Sequence, residues 1–136
     1  MYPPELVAPM KQDLTDVGFV QLMNTEEVAN AIKSEGTTLV VVNSVCGCAA
    51  GNARPAVKLS TTFNIKPDIF CTVFAGQDVE ATAKAREYML PYPPSSPSIA
   101  LFKNGDLIHF IERHHIEGRS ADIIADNLKS AFIDFC

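Results

Sequence analysis

The sequence predicts an α/β fold, a mixed β-sheet sandwiched by helices. Three observations carry that expectation. Segments of helical period alternate with short β-branched runs from Leu6 to Leu90, which implies right-handed crossovers and a parallel strand pair. Two apolar runs near the end are joined by Asn104-Gly105, the strongest short hairpin signal, which adds antiparallel strands. With 136 residues, 47% of them hydrophobic, the chain can bury one ordinary core, so residues 1–136 are expected to form a single domain.

Each element has its own local warrant. Leu6, Met10, Leu14 and Val17 lie near helical spacing, interrupted by Pro9 and stopped by Gly18. A second helix starts at Asn24, with Glu27 three residues on as in a capping box, and Val28, Ala31 and Ile32 form its apolar side. Gly36 ends it, and Thr37 to Val42 reads as a central strand. Ala49 to Phe63 reads helical with a kink at Pro55, Asp68 to Phe74 as a second strand, and Gln77 to Leu90 as a fourth helix. The irregular stretch Pro91 to Ser98 precedes the hairpin strands Ile99 to Lys103 and Leu107 to Glu112. Ser120 caps a last helix whose Ile124, Leu128, Phe132 and Phe135 share one face. The expected order is α-α-β-α-β-α-β-β-α.

Composition narrows the function classes. A net charge of -5 argues against nucleic acid, which needs a basic stripe. The apolar run Leu39 to Val42 is far too short to span a bilayer. The N-terminus has neither a positive n-region nor an apolar h-region, so no signal peptide and a cytoplasmic location are expected. Four cysteines in that setting read as catalytic, metal-binding or free rather than as a staple.

Two of them stand out. Cys46-Gly47-Cys48 lies where the central strand runs into a helix. A thiol there faces unpaired backbone N–H groups and the positive end of the helix dipole, both of which favour thiolate. Thiolate is the form that attacks disulfides. Positions i and i+2 of a helix differ by about 200° around its axis, so both thiols cannot meet inside one helix. At least one must precede it, and Gly47 is expected to let the chain bend there. A disulfide across so short a loop is expected to be strained and easily reduced.

The strand, cysteine pair and proline-kinked helix resemble the thioredoxin fold, as does Ser96-Pro97-Ser98-Ile99-Ala100-Leu101-Phe102-Lys103-Asn104-Gly105. That resemblance implies a cis Pro97 facing the cysteines. More narrowly, Val41-Val42-Asn43-Ser44-Val45-Cys46-Gly47-Cys48-Ala49-Ala50-Gly51 resembles the bacilliredoxin family. Val73 to Asp78, Ala81 to Lys84, Pro94 to Ser98, His109 to Ile111 and Ile116 to Gly118 agree, so the likeness covers essentially the whole chain. It implies thiol–disulfide oxidoreductase chemistry: removal of bacillithiol from S-thiolated cytosolic proteins, with Cys46 as nucleophile and Cys48 as resolving partner. No bound cofactor or metal is implied; bacillithiol is the expected low-molecular-weight co-substrate. The chain departs from thioredoxin's usual Cys-x-x-Cys spacing and has no tryptophan.

The central strand carries no acid, so Cys46 is expected to rely on backbone N–H groups and the helix end for activation. Gly47 and Ala49 to Gly51 are small and leave room for a protein substrate. Arg54 is a candidate for holding an anionic thiol, Cys136 a candidate accessory thiol, and Cys71, among Ile69, Phe70, Val73 and Phe74, a core residue. His114 and His115 read as surface residues, with metal or carboxylate binding as the rival role. Three alternatives stay open: a general disulfide isomerase or oxidant, a metal carrier using Cys46, Cys48 and a histidine, and an unreactive interaction domain.

Overall fold

The strand at the middle of the sheet is buried throughout because both of its faces are covered. A computed structural model describes residues 1–136. Its strands are β1 (Val20–Gln21), β2 (Thr37–Asn43), β3 (Ile69–Phe74), β4 (Ser98–Lys103) and β5 (Asp106–Ile111). Its helices are α1 (Pro4–Thr15), α2 (Thr25–Lys33), α3 (Arg54–Ser60), α4 (Val79–Glu87) and α5 (Ala121–Phe135). The sheet order is β1-β3-β2-β4-β5. β2 and β1 run parallel to β3, while β4 is antiparallel to both β2 and β5.

Side chains alternate across β2, so its residues build two cores. Leu39 and Val41 join Leu14, Val57, Leu128 and Phe132 on the face covered by α1, α3 and α5. Val40 and Val42 join Val28, Ile32, Ala81 and Ala85 on the face covered by α2 and α4. Cys71 is fully buried in the second core, and burial pushes its thiol up to about 12. Its packing role is as expected.

The capping signals form as read. Asn24 Oδ1 accepts the Glu27 N–H at 2.9 Å, and Glu27 returns a bond to the Met23 N–H at 2.7 Å. Ser120 Oγ accepts the Ile123 N–H at 3.2 Å. Asn104 and Gly105 both take positive φ, 51° and 87°, as a tight hairpin requires. No helix is long and apolar enough to cross a membrane.

Three features depart from expectation. β1 is absent from the sequence pattern: Val20 is exposed, and the two-residue edge strand exists only through pairing with Cys71 and Thr72. On α1, Val7 and Leu14 are the buried residues, while Leu6 faces solvent and Val17 lies exposed beyond the helix end at Thr15. Finally, the segment read as one kinked helix opens with a π turn over Ala49–Ala53. Pro55 has no N–H to give, and its ring crowds the Gly51 carbonyl four residues back, so the turn before it widens.

Candidate active site

β2 delivers the site. Its last residue, Asn43, and the following Ser44 are buried. The Cys46 carbonyl then accepts N–H bonds from Ala49 (3.1 Å) and Ala50 (3.2 Å), which makes Cys46 the residue that opens the helical segment. Cys48 sits inside its first turn. That split is what brings the thiols together: Cys46 Sγ and Cys48 Sγ lie 2.8 Å apart. Gly47 is exposed, has no positive φ, and would meet nothing within 4 Å if it carried a Cβ. It leaves open surface above the thiols, and the bend at Val45 and Cys46 forms without a positive φ at Gly47.

Ser44 is one site residue that sequence reasoning missed. Its hydroxyl donates to Cys46 Sγ at 3.2 Å and accepts the Cys46 N–H at 3.3 Å. Burial opposes a charge on Cys46. Hydrogen bonds from Cys48, Ser44 and the Ala49 and Cys48 backbone outweigh it and hold the Cys46 thiol below its ordinary value. Cys48 moves the other way, raised by burial, by its hydrogen bond to Cys46 and by the Cys46 charge. The two titrate as a pair, with the negative charge on Cys46 and the proton retained on Cys48. Activation therefore comes from backbone N–H groups, as expected, and also from Ser44 and the neighbouring thiol.

Arg54 is not placed to receive a substrate. It is 5% exposed, and its Nη1 donates to Asn43 Oδ1 at 3.0 Å and to the Ser44 carbonyl at 2.9 Å. Its Nε faces Asp13 Oδ2 at 3.4 Å. Asn43 in turn holds the Met10 carbonyl through Nδ2 at 3.1 Å and the Ser44 N–H through Oδ1 at 2.9 Å. The guanidinium thus ties α1 to the loop under Ser44 and presents its charge to Cys46 from behind. Isolated in sequence, Asp13, Asn43 and Arg54 gave no signal of this network.

The Ser96–Pro97 bond is cis, and so is Leu90–Pro91. Pro97 is buried, and the preceding Ser96 lines a pocket of about 290 Å³ together with Ser44, Val45 and Cys46. Arg113, in a short 3-10 turn after β5, donates from Nη1 to the Ser96 carbonyl at 3.1 Å, and its charge is felt by both thiols. Nothing around Arg113 in the sequence marked it. A larger cavity of about 600 Å³ lies between β5 and α5, and no cysteine lines it.

Cys136 is exposed at the other end of the molecule, beside Thr37 and Lys103. β2 alone spans roughly 20 Å between that end and the site, so Cys136 does not reach Cys46 within one chain. His114 and His115 are exposed, and their donor atoms gather with Glu112 within 4.8 Å. Neither site cysteine belongs to that group, so the alternative carrier set of Cys46, Cys48 and a histidine is not assembled.

Known proteins resemble this chain in both sequence and shape. The family described as disulphide isomerase matches residues 2–136. A bacilliredoxin of Cytophaga hutchinsonii is 59% identical over 132 residues, covering 97% of this chain and 98% of that protein. A bacilliredoxin of Halalkalibacterium halodurans is 53% identical over 136 residues, covering 99% of this chain and 94% of the relative. Among solved structures, mitochondrial thioredoxin 3 from Saccharomyces cerevisiae superposes with a TM-score of 0.60 at 21% identity, covering 90% of this chain and 99% of its own. Thioredoxin from Trypanosoma brucei brucei gives 0.60 at 18%, covering 86% and 93%. At such identities the structures establish the thioredoxin fold.

Proposed function

The chain belongs to the disulphide isomerase family, and on that premise we propose that it is a bacilliredoxin: a thiol–disulfide oxidoreductase that strips bacillithiol from S-thiolated cytosolic proteins. The observation that carries this reading is the pair of thiols 2.8 Å apart, the Cys46 thiol held below its ordinary value by hydrogen bonds and the Cys48 thiol raised above it. Cys46 thiolate attacks the small-thiol sulfur of a mixed disulfide. The bond to the client's sulfur breaks, and the client leaves as a thiolate that takes a proton from solvent or from Cys48. Cys46 then carries the small thiol. Cys48, once deprotonated, attacks Cys46 Sγ and expels that thiol, leaving a Cys46–Cys48 disulfide; alternatively a second small-thiol molecule attacks the adduct. An external thiol reductant restores the pair after the first route.

Gly47 and Ser96 flank the reacting sulfurs and leave the approach to Cys46 open. The test is mass spectrometry of single-cysteine variants incubated with a protein carrying a bacillithiol mixed disulfide. Cys48→Ala is expected to accumulate the bacillithiol adduct on Cys46 while the client is freed. Absence of any adduct on Cys46 would overturn the reading. The family's description favours a second activity, isomerisation of protein disulfides, which uses the same attack on a client with two cysteines. Refolding of a scrambled disulfide protein measures it directly.

A further inference from the structure

The pocket beside Cys46 has a charge character that the cycle above does not use. It lies at the carboxyl ends of the parallel strands β2 and β3, where open α/β sheets place their ligands. Tyr2, Ala75, Gly76, Arg86 and Arg113 complete its lining with Ser44, Val45, Cys46 and Ser96. Two guanidinium groups are present and no carboxylate is, in a chain whose net charge is -5.

Neither arginine is fully used by the protein. Arg86, on α4, has a buried Nε with no hydrogen-bond partner, and its Nη2 makes only a long 3.5 Å contact with the Ser95 carbonyl. No carboxylate pairs with it. Burial pulls its pKa below the ordinary arginine value, which marks an uncompensated cation. Arg113 spends its Nε on Glu117 at 2.7 Å and its Nη1 on Ser96, and its Nη2 has no partner. A planar fork with unused donors matches a carboxylate.

We propose that this pocket is the subsite for a carboxylate carried by the small thiol, with Arg86 and Arg113 holding it while Cys46 attacks the adjoining sulfur. The inference rests on the proposed removal of a small thiol and names the chemical class that is preferred. At about 290 Å³ the pocket accommodates the acidic end of a low-molecular-weight thiol and excludes a folded client. It also sets direction: an anchored carboxylate presents the small-thiol sulfur, rather than the client's, to Cys46.

The experiment uses the full chain with Cys48→Ala, so that adducts accumulate. One reporter peptide is supplied as its mixed disulfide with mercaptopropionate, mercaptoethanol or cysteamine, which are anionic, neutral and cationic. Adduct formation on Cys46 is timed by mass spectrometry, and the thiolate fraction of each variant is measured separately by alkylation. The mercaptopropionate-to-mercaptoethanol rate ratio is expected to be about tenfold, as one charged hydrogen-bonded contact provides. It should fall toward one in Arg113→Gln and Arg86→Gln, and also at high salt. Arg113 sits on a half-exposed turn, so its variant carries the test even if Arg86→Gln fails to fold. A ratio unchanged in the Arg113 variant, or a uniform slowing explained by thiolate fraction alone, overturns the subsite and leaves the proposed function standing. No adduct with any of the three thiols overturns both.

Discussion

Replacing Ser44 by Ala tests the least anticipated part of the site. The substitution removes the hydroxyl that donates to Cys46 Sγ at 3.2 Å and leaves the Cys48 and backbone donors in place. One hydrogen bond to a charged acceptor contributes about 1.5 kcal/mol, which corresponds to roughly a tenfold loss of thiolate relative to thiol. Cys46 is partly exposed, and water replaces some of the lost bond, so the loss lies between about threefold and tenfold. A more basic thiolate is also a better nucleophile. With a Brønsted slope of ~0.45, a tenfold loss of ionisation is offset by about threefold in intrinsic reactivity. The curves of alkylation rate against pH should therefore cross. At a pH below both pKa values the variant reacts up to about threefold more slowly, and well above its own pKa up to about threefold faster. Iodoacetamide alkylation of Cys46, followed by peptide mass spectrometry that separates it from Cys48 and with Cys48 retained, is run with and without Ser44→Ala and gives both limbs. Superimposable curves would refute the assignment of Ser44 as an activating donor, and slowing at every pH would point to a damaged loop instead.

Other expectations follow from the same contacts. Arg54→Met leaves Asn43 Oδ1 and the Ser44 carbonyl short of a donor and should lower stability by about 2–3 kcal/mol in urea unfolding; an unchanged midpoint contradicts the network. The folded-state pKa of Cys71, about 12, lies above the ordinary thiol value of 9.0, so the folded chain holds this proton more tightly than the unfolded one. Stability should therefore be complete below pH 9.0 and decline by about 1.4 kcal/mol per pH unit as pH rises toward 12. Cys71→Ala, less stable at neutral pH, should lack that component, as paired urea titrations across the window would reveal. Cys136→Ser should leave the single-turnover rate of bacillithiol transfer unchanged, because that thiol sits at the opposite end of β2; a slowed second step would demand contact between two chains.

Much of this protein is determined locally. Asn24 and Ser120 cap their helices with their own side chains, and Asn104-Gly105 takes the positive φ values its hairpin demands. The unbroken apolar run of β2 announces a strand covered on both faces, because alternate residues must each find a core. The Cys46-Gly47-Cys48 spacing after that strand is enough to require at least one thiol ahead of the helix. What local pattern could not supply is whatever depends on distant partners. β1 is two residues long and exists only because β3 lies beside it. Pro55 marked a kink, but the widened turn before it is seen only once the backbone is closed. Arg54 and Arg113 look alike in sequence, yet one is buried behind the site and the other half-exposed at its mouth. Charge is read from the residue, but its surroundings are assembled from segments tens of residues apart. The tertiary structure alone therefore decides which cation braces the loop and which faces the thiols.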